Sequence, residues 1–172
     1  MSSFKAIIFD LDDTIINTSE IKHLRKQPWG ECYSKIPSNT YLIFDSSLLN
    51  ILNNQFIIGI VTNSPRPYAS RVLSHHNFNF DDLICYHDCS KRKPHPDPMI
   101  LSATRLGVNP NEVIAIGDHK NDILAAKSAG MTAIGVTWGE STTEELSIAG
   151  SDYLVDDVNQ LRSLLEAILE EE

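Results

Sequence analysis

Short apolar runs alternate with amphipathic stretches along almost the whole of this chain. Residues 6–9, 56–61, 83–86, 113–116 and 132–136 are apolar, rich in β-branched side chains and bounded by polar or turn residues, which predicts buried strands. Between them, apolar residues recur at helical spacing over 46–54, 67–75, 98–106, 121–129 and 158–170. Strands alternating with helices predict a parallel sheet covered on both faces, a three-layer Rossmann-like α/β domain. The punctuation agrees. Gly107 and Gly130 stand where two helices should stop, Asp45 or Ser46 can cap the helix that follows, and 109–112 reads as a turn into the next strand. No repeat or low-complexity linker divides the chain, so residues 1–172 are expected to form one domain.

The least regular stretch is 17–41, where Lys, Arg, Trp and two prolines interrupt weak helical patterns. It is predicted as a helix over 18–26 followed by a loop. Its place directly after the first strand sets it over the C-terminal edge of the sheet, where open α/β folds bind ligands. It is therefore either a surface excursion or a small flap, with Arg25, Lys26 and Trp29 as candidate ligand contacts.

Composition narrows the partners. With 42% hydrophobic and 22% charged residues the chain has an ordinary globular balance. A net charge of −9 works against binding an extended phosphate backbone, although part of that acidity sits in Glu170, Glu171 and Glu172 and leaves room for a small basic pocket. Cys32, Cys85 and Cys89 make an odd number with no secretory leader ahead of them, as expected of a reduced, cytoplasmic protein. No apolar stretch is long enough to span a bilayer.

Candidate chemistry lies at the ends of the predicted strands. The first runs into Asp10, Asp12, Asp13 and Thr14, a crowding of carboxylates that is costly unless a hard cation neutralises it. Mg²⁺ suits such oxygen ligands. A second pair, Asp118 and Asp122, follows Gly117, and four-residue spacing at a helix start lets both face one side. Thr62 and Asn63 end another strand, where a hydroxyl and backbone N–H groups can hold phosphate oxygens. Lys93 lies in a proline-braced turn, from which an ammonium can be aimed at developing negative charge. Taken singly, each segment reads equally well as a helix cap, a turn or a solvated loop.

In order, the four segments match the motifs of the haloacid dehalogenase-like hydrolase superfamily, which the chain resembles from residue 4 to about 138. Asp10, Asp12 and Thr14 fall on its first motif, Thr62 on its second, Lys93 on its third, and Gly117, Asp118 and Asp122 on its fourth. The resemblance implies a central first strand with order 3-2-1-4-5. It also implies a Mg²⁺-dependent phosphatase in which Asp10 attacks phosphorus to give an aspartyl phosphate, while Asp12 protonates the leaving oxygen and then activates water. Mg²⁺ would be held by the Asp10 carboxylate, the Asp12 main-chain carbonyl and Asp118, with Asp122 either a ligand through water or an orienter of Lys93. Thr14, Asn63 and Lys93 would be the substrate-binding positions, with Thr62 helping to hold the phosphate.

Several finer expectations follow. The intervals from Asp10 to Thr62 and from Thr62 to Lys93 are too short for a large cap, so the site should be open, covered at most by 17–41, and a second copy of the chain is one way to close it. The substrate would be a small phosphorylated metabolite or a phosphorylated macromolecule. Cys85, His87 and Cys89 supply only three soft ligands where a closed zinc site needs four. Two rival functions use similar parts. A phosphomutase shares the phospho-aspartate but needs better enclosure, and a receiver-like, non-catalytic phosphate-binding module would place its acidic residues on different strands.

Overall fold

The structure, a computed structural model, describes residues 3–171. Glu172 of the acidic tail lies outside them, as do Met1 and Ser2. In chain order, β1 (Ala6–Phe9) is followed by β2 (Ile16–Asn17), a 3-10 turn over Ser19–Leu24, α1 (Gly30–Asn39) and β3 (Tyr41–Leu42). Next come α2 (Ser46–Gln55), β4 (Ile57–Val61), α3 (Arg66–His75), β5 (Asp82–Ile84) and α4 (Asp97–Leu106). The chain ends with β6 (Val113–Gly117), α5 (Lys120–Ser128), β7 (Thr132–Val136), α6 (Thr143–Ile148), β8 (Tyr153–Val155) and α7 (Val158–Glu170).

Six parallel strands form one sheet in the order β5-β4-β1-β6-β7-β8, and β2 and β3 pair as a separate antiparallel ribbon. The pleat of β1 divides the core. Ile7 and Phe9 point to the face covered by Leu48 and Leu52 of α2, Tyr68 and Val72 of α3, and Leu161 and Leu165 of α7. Ala6 and Ile8 point to the other face, against Met99 and Ala103 of α4, Ile123 and Ala126 of α5, and Leu146 of α6. Sequential side chains on opposite faces, each buried, are why β1 reads as a continuous apolar run.

Local chemistry sets the ends of the helices. The Asp45 carboxylate accepts from the Leu48 N–H at 2.8 Å and caps α2. Gly107 closes α4 at φ 71°, and Gly130 turns the chain after α5 at φ 81°, both in the left-handed region that suits glycine.

The structure departs from the sequence reading in several places, adding the β2–β3 ribbon and α6 to the elements expected. The helix predicted over 18–26 is a 3-10 turn, and the loop predicted after it contains α1. Pro37 inside α1 and Gly30 at its start weaken the helical signal. The helix holds because Cys32 and Ile36 are buried on one face, with Trp29 and Tyr33 packed beside them. The sheet also carries a sixth strand, β8, added beyond the predicted 3-2-1-4-5 order. It is three residues long and two of them are exposed, so it lacks the apolar run that marks the inner strands.

α7 closes one face through Leu161, Leu165 and Ile168. Leu161 is fully buried, and Leu161→Ala is expected to cost about 2–5 kcal/mol of stability through lost transfer energy and the cavity left behind. Urea denaturation measures it, and an unchanged midpoint would contradict the packing described.

Candidate functional site

The register of the three central strands assembles the site. Phe9 lies level with Ile60 of β4 and Ile116 of β6, and the Asp10 N–H continues the ladder to the Ile116 carbonyl at 3.0 Å. Asp10 therefore emerges beside the ends of β4 and β6, with Thr62 and Asp118 next after those neighbouring strands. All these strands are parallel, so their C-terminal ends open on one edge.

Lys93 lies at the centre. Its side chain is 3% exposed, and its ammonium donates to Asp10 Oδ1 at 3.0 Å, Asp122 Oδ1 at 2.7 Å and the Val61 carbonyl at 2.7 Å. Three hydrogens thus meet three acceptors. Burial alone would lower its pKa, but Asp10 and Asp122 outweigh that and hold it above the ordinary lysine value, so the group stays charged. Burial likewise pushes Asp10 up, but the Lys93 charge and hydrogen bonds to Asp118, Lys93 and Leu11 overcome it, leaving the carboxyl below its usual value.

The other two carboxylates bear the cost of the crowding. Asp118 is pushed up to about 9, first by burial and then by the charge of Asp10. Asp122 is pushed up to about 6 by burial and Asp10, against the pull of Lys93. Asp10, Asp118 and Asp122 each offer an oxygen, and these oxygens lie within 4.8 Å of one another. Three carboxylates against one ammonium leave an excess of buried negative charge that a divalent cation would neutralise. An all-oxygen donor set suits Mg²⁺ or Mn²⁺ rather than a thiophilic ion. The residues fit such an ion.

Two glycines make the cluster possible by letting backbone come close. A Cβ on Gly117 would sit 2.4 Å from Asp122, and one on Gly139 would sit 2.2 Å from Asp118 Oδ2. Next to Gly139, the Glu140 N–H donates to Asp118 Oδ2 at 2.8 Å, while Thr14 Oγ1 donates to Asp118 Oδ1 at 2.9 Å and Asp10 Oδ2 at 3.3 Å. At the start of α5, the His119 N–H donates to Asp122 Oδ2 at 3.0 Å. Asp122 thus caps its helix with one oxygen and holds Lys93 with the other.

Asp12 points away from the three-carboxylate cluster. Oδ1 accepts from Thr18 Oγ1 at 2.8 Å and Tyr68 OH at 2.6 Å, and Oδ2 accepts from Ser64 Oγ at 2.7 Å. Arg25 Nη2 lies 3.3 Å from Oδ2 and also donates to Ser64 Oγ. The turn that presents Asp12 passes through Asp13, whose φ of 61° is unusual for a residue other than glycine. Asp13 Oδ1 accepts the Thr18 N–H at 3.1 Å and so ties the turn to the start of the 17–41 segment.

The residues expected at the site converge, with some reassignment of place. Asp10, Asp12, Thr62, Asn63, Lys93, Asp118 and Asp122 line one cavity of about 280 Å³. Thr62 Oγ1 accepts the Ser64 N–H at 3.0 Å, and Asn63 Nδ2 donates to the Lys93 carbonyl at 3.1 Å. Thr14, expected to touch substrate, is fully buried with its hydroxyl committed to the two carboxylates, a place behind the site from which it orients them. The Asp12 side chain is not among the three clustered carboxylates. Arg25 reaches the site, whereas Lys26 is exposed and lines neither this cavity nor its neighbour. Among the described residues, Cys85, His87 and Cys89 do not form a converging ligand group, and burial pushes the Cys85 thiol up to about 11, away from the thiolate that binds metal.

Sequence reasoning passed over Ser64, Tyr68, Thr18 and Gly139. Gly139 and Glu140 had a readable signal, since they follow β7 on the same edge of the sheet. Ser64 adjoins Thr62. Tyr68 and Thr18 carry none, because each reaches Asp12 across a contact between separate elements.

The chain is similar to known proteins of one family. A family model described as haloacid dehalogenase-like hydrolase matches residues 39–136, a span that contains Thr62, Lys93, Asp118 and Asp122 but begins after Asp10. The phosphoglycolate phosphatase of Shigella boydii is 31% identical over 156 residues, covering 88% of this chain, and the chain spans 62% of that relative's length. Among solved structures, a HAD phosphatase from Thermococcus onnurineus superposes with a TM-score of 0.77 at 23% identity, over 94% of this chain and 98% of its own. A β-phosphoglucomutase from Clostridium difficile gives 0.76 at 23% identity, over 98% of each chain. At that identity the two superpositions establish a shared fold.

The raised carboxyls make cation binding depend on pH. Asp118 binds its proton more tightly folded than unfolded, so its contribution to stability is full below the ordinary value of 3.8 and is lost as pH rises toward about 9. A divalent ion needs the ionised form and displaces that proton. The gain in Tm on adding Mg²⁺ is therefore expected to be larger near about pH 8 than near about pH 6. Calorimetry at the two pH values checks this, and equal gains would contradict it. Gly139→Ala, which would force backbone away from Asp118, is expected to weaken Mg²⁺ at least about tenfold with the circular dichroism spectrum retained; titration calorimetry reads the affinity.

Proposed function

The chain belongs to the haloacid dehalogenase-like hydrolases, and from that premise we propose that it is a Mg²⁺-dependent phosphomonoester hydrolase that works through an aspartyl phosphate on Asp10. The observation that carries this reading is the ammonium of Lys93, buried and shared between Asp10 and Asp122 at 3.0 and 2.7 Å. It fixes an ionised carboxylate at a strand end inside a polar cavity, as a nucleophile toward phosphorus requires.

Each residue then has a task. Asp10, kept ionised, attacks phosphorus as the ester bond breaks. The phosphoryl oxygens lie toward Lys93, Thr62, Asn63 and the backbone N–H groups that follow, donors that offset the charge gathering on them. Asp10, Asp118 and the Asp12 main-chain carbonyl would hold Mg²⁺, which adds positive charge beside the phosphoryl group when bound. Asp122 keeps Lys93 in place.

Asp12 handles the proton. Oδ1 accepts from Thr18 and Tyr68, and Oδ2 accepts from Ser64 beside Arg25. The proton given to the leaving oxygen is assigned to Oδ2, which opens toward the cavity once Arg25 moves off it and the Ser64 hydroxyl turns away. Once the alcohol has left, the same oxygen takes a proton from water as that water attacks the phosphoryl group on Asp10. The aspartate is regenerated and phosphate is released. Arg25 must withdraw from Oδ2 for this cycle to run, which gives the 17–41 segment a part in turnover.

The Shigella boydii relative is named for phosphoglycolate, and a phosphate ester of a small hydroxy compound is the class of substrate it suggests for this chain. No described helix is long and apolar enough to cross a membrane.

Phosphate release from a generic ester in the presence of Mg²⁺ tests the proposal. Asp10→Asn is expected to lower kcat by at least about a thousandfold, because it removes the nucleophile with little change of shape. Lys93→Met should also raise KM, since it strips charge from the phosphate pocket. Turnover by Asp10→Asn at the parent rate would refute the assignment.

A further inference from the structure

We propose that the alcohol released at this site carries a flat aromatic ring, of the kind a nucleotide base supplies, and that the cavity beside the carboxylates holds that ring. The inference rests on the phosphatase reading above and adds the leaving group to it.

The cavity is large and adjoins the site. Its volume is about 720 Å³ against about 280 Å³ for the carboxylate cavity, and Lys22, Arg25 and Asn63 line both. A phosphate seated against Lys93 and Thr62 therefore directs its leaving group past Arg25 into the larger space. A two-carbon hydroxy acid would leave most of that space unfilled.

The walls are aromatic and come from three separate elements. Trp29 and Tyr33 stand at and inside the start of α1, Pro65 and Pro67 flank the first residue of α3, and Tyr86 and His87 follow β5. Their rings are braced by neighbouring side chains. The Arg71 guanidinium lies 4.2 Å from the Tyr33 ring, Tyr33 stacks on Trp29 at 5.9 Å and 25°, and Trp29 packs on Tyr68 at 5.9 Å. Arg92 lies 3.5 Å from the Tyr86 ring and donates through Nε to the Tyr86 carbonyl at 2.9 Å. Such rings, held in place before a ligand arrives, stack on a flat partner at low entropic cost.

Polar groups stand where a ring with heteroatoms and a sugar would need them. Gln27 and His87 line the cavity and bring an amide and an imidazole to a ring edge. Arg25 Nε is buried and has no hydrogen-bond partner among the described residues. On a side chain that lines both cavities, it is a donor for the oxygen-bearing linker between ring and phosphate. The aromatic stack also ends on the chemistry, because the Tyr68 hydroxyl donates to Asp12 Oδ1 at 2.6 Å. A ring seated against Trp29 is thus one residue removed from the group that protonates the leaving oxygen.

The test compares esters that break the same bond with similar leaving groups. Purine and pyrimidine nucleoside 5′-monophosphates and ribose 5-phosphate all release a primary 5′-alcohol, and 2-phosphoglycolate serves as the small-acid control. With Mg²⁺ present, kcat/KM for at least one nucleotide is expected to exceed that for ribose 5-phosphate by at least about tenfold, the scale of one base stacked on an aromatic side chain. Trp29→Ala and, on the exposed loop after β5, Tyr86→Ala should each bring that ratio toward one. Equal values for nucleotides and ribose 5-phosphate, a preference for 2-phosphoglycolate, or variants that lower all esters in proportion would overturn the ring proposal while phosphate release still supports the phosphatase reading. Hydrolysis of none of the esters by the parent protein would overturn both.

Discussion

The structure turns on one buried ammonium shared among carboxylates. Lys93 donates to Asp10, Asp122 and the Val61 carbonyl, and so offsets part of the charge of three carboxylates that each set an oxygen within 4.8 Å of the others. Even with it the balance remains negative, and burial together with the charge of Asp10 pushes Asp118 up to about 9. The fold supplies the convergence. Parallel strands end on one edge, and the register of β1 between β4 and β6 sets Asp10 beside the residues that follow both neighbours. A one-residue slip of either strand would turn these side chains to the opposite face of the sheet.

This arrangement was legible in the sequence because it consists of strand ends. Polar residues that interrupt an apolar run are visible without coordinates, and Asp10, Thr62 and Asp118 each occupy such a position. The helices over 46–54 and 158–170 were equally plain, because their apolar faces repeat over two or more turns. What the pattern did not show depends on contacts between elements distant in the chain. α1 is concealed by Gly30 and Pro37 and is held by packing of Cys32 and Ile36. β8 is short and half-exposed at an edge, and its pairing with β7 shows only when the sheet is assembled.

The site follows the same division. Its charged members, Arg25 among them, were named from the chain, but the hydroxyl supports around Asp12 were not, because Thr18, Ser64 and Tyr68 come from the ribbon segment, the loop after β4 and α3. Gly139 is instructive. Its role is to permit contact between the Glu140 N–H and Asp118, and a glycine after a strand has many ordinary explanations until the carboxylate is seen beside it.

Trapping of the phosphorylated enzyme tests the central claim most directly. With a hydrolysed ester and Mg²⁺, rapid denaturation followed by borohydride reduction should convert Asp10, and no other acidic residue, into homoserine detectable in its peptide. Phosphate released over many turnovers while the Asp10 peptide stays unmodified at every quench time would contradict a covalent path through that carboxylate.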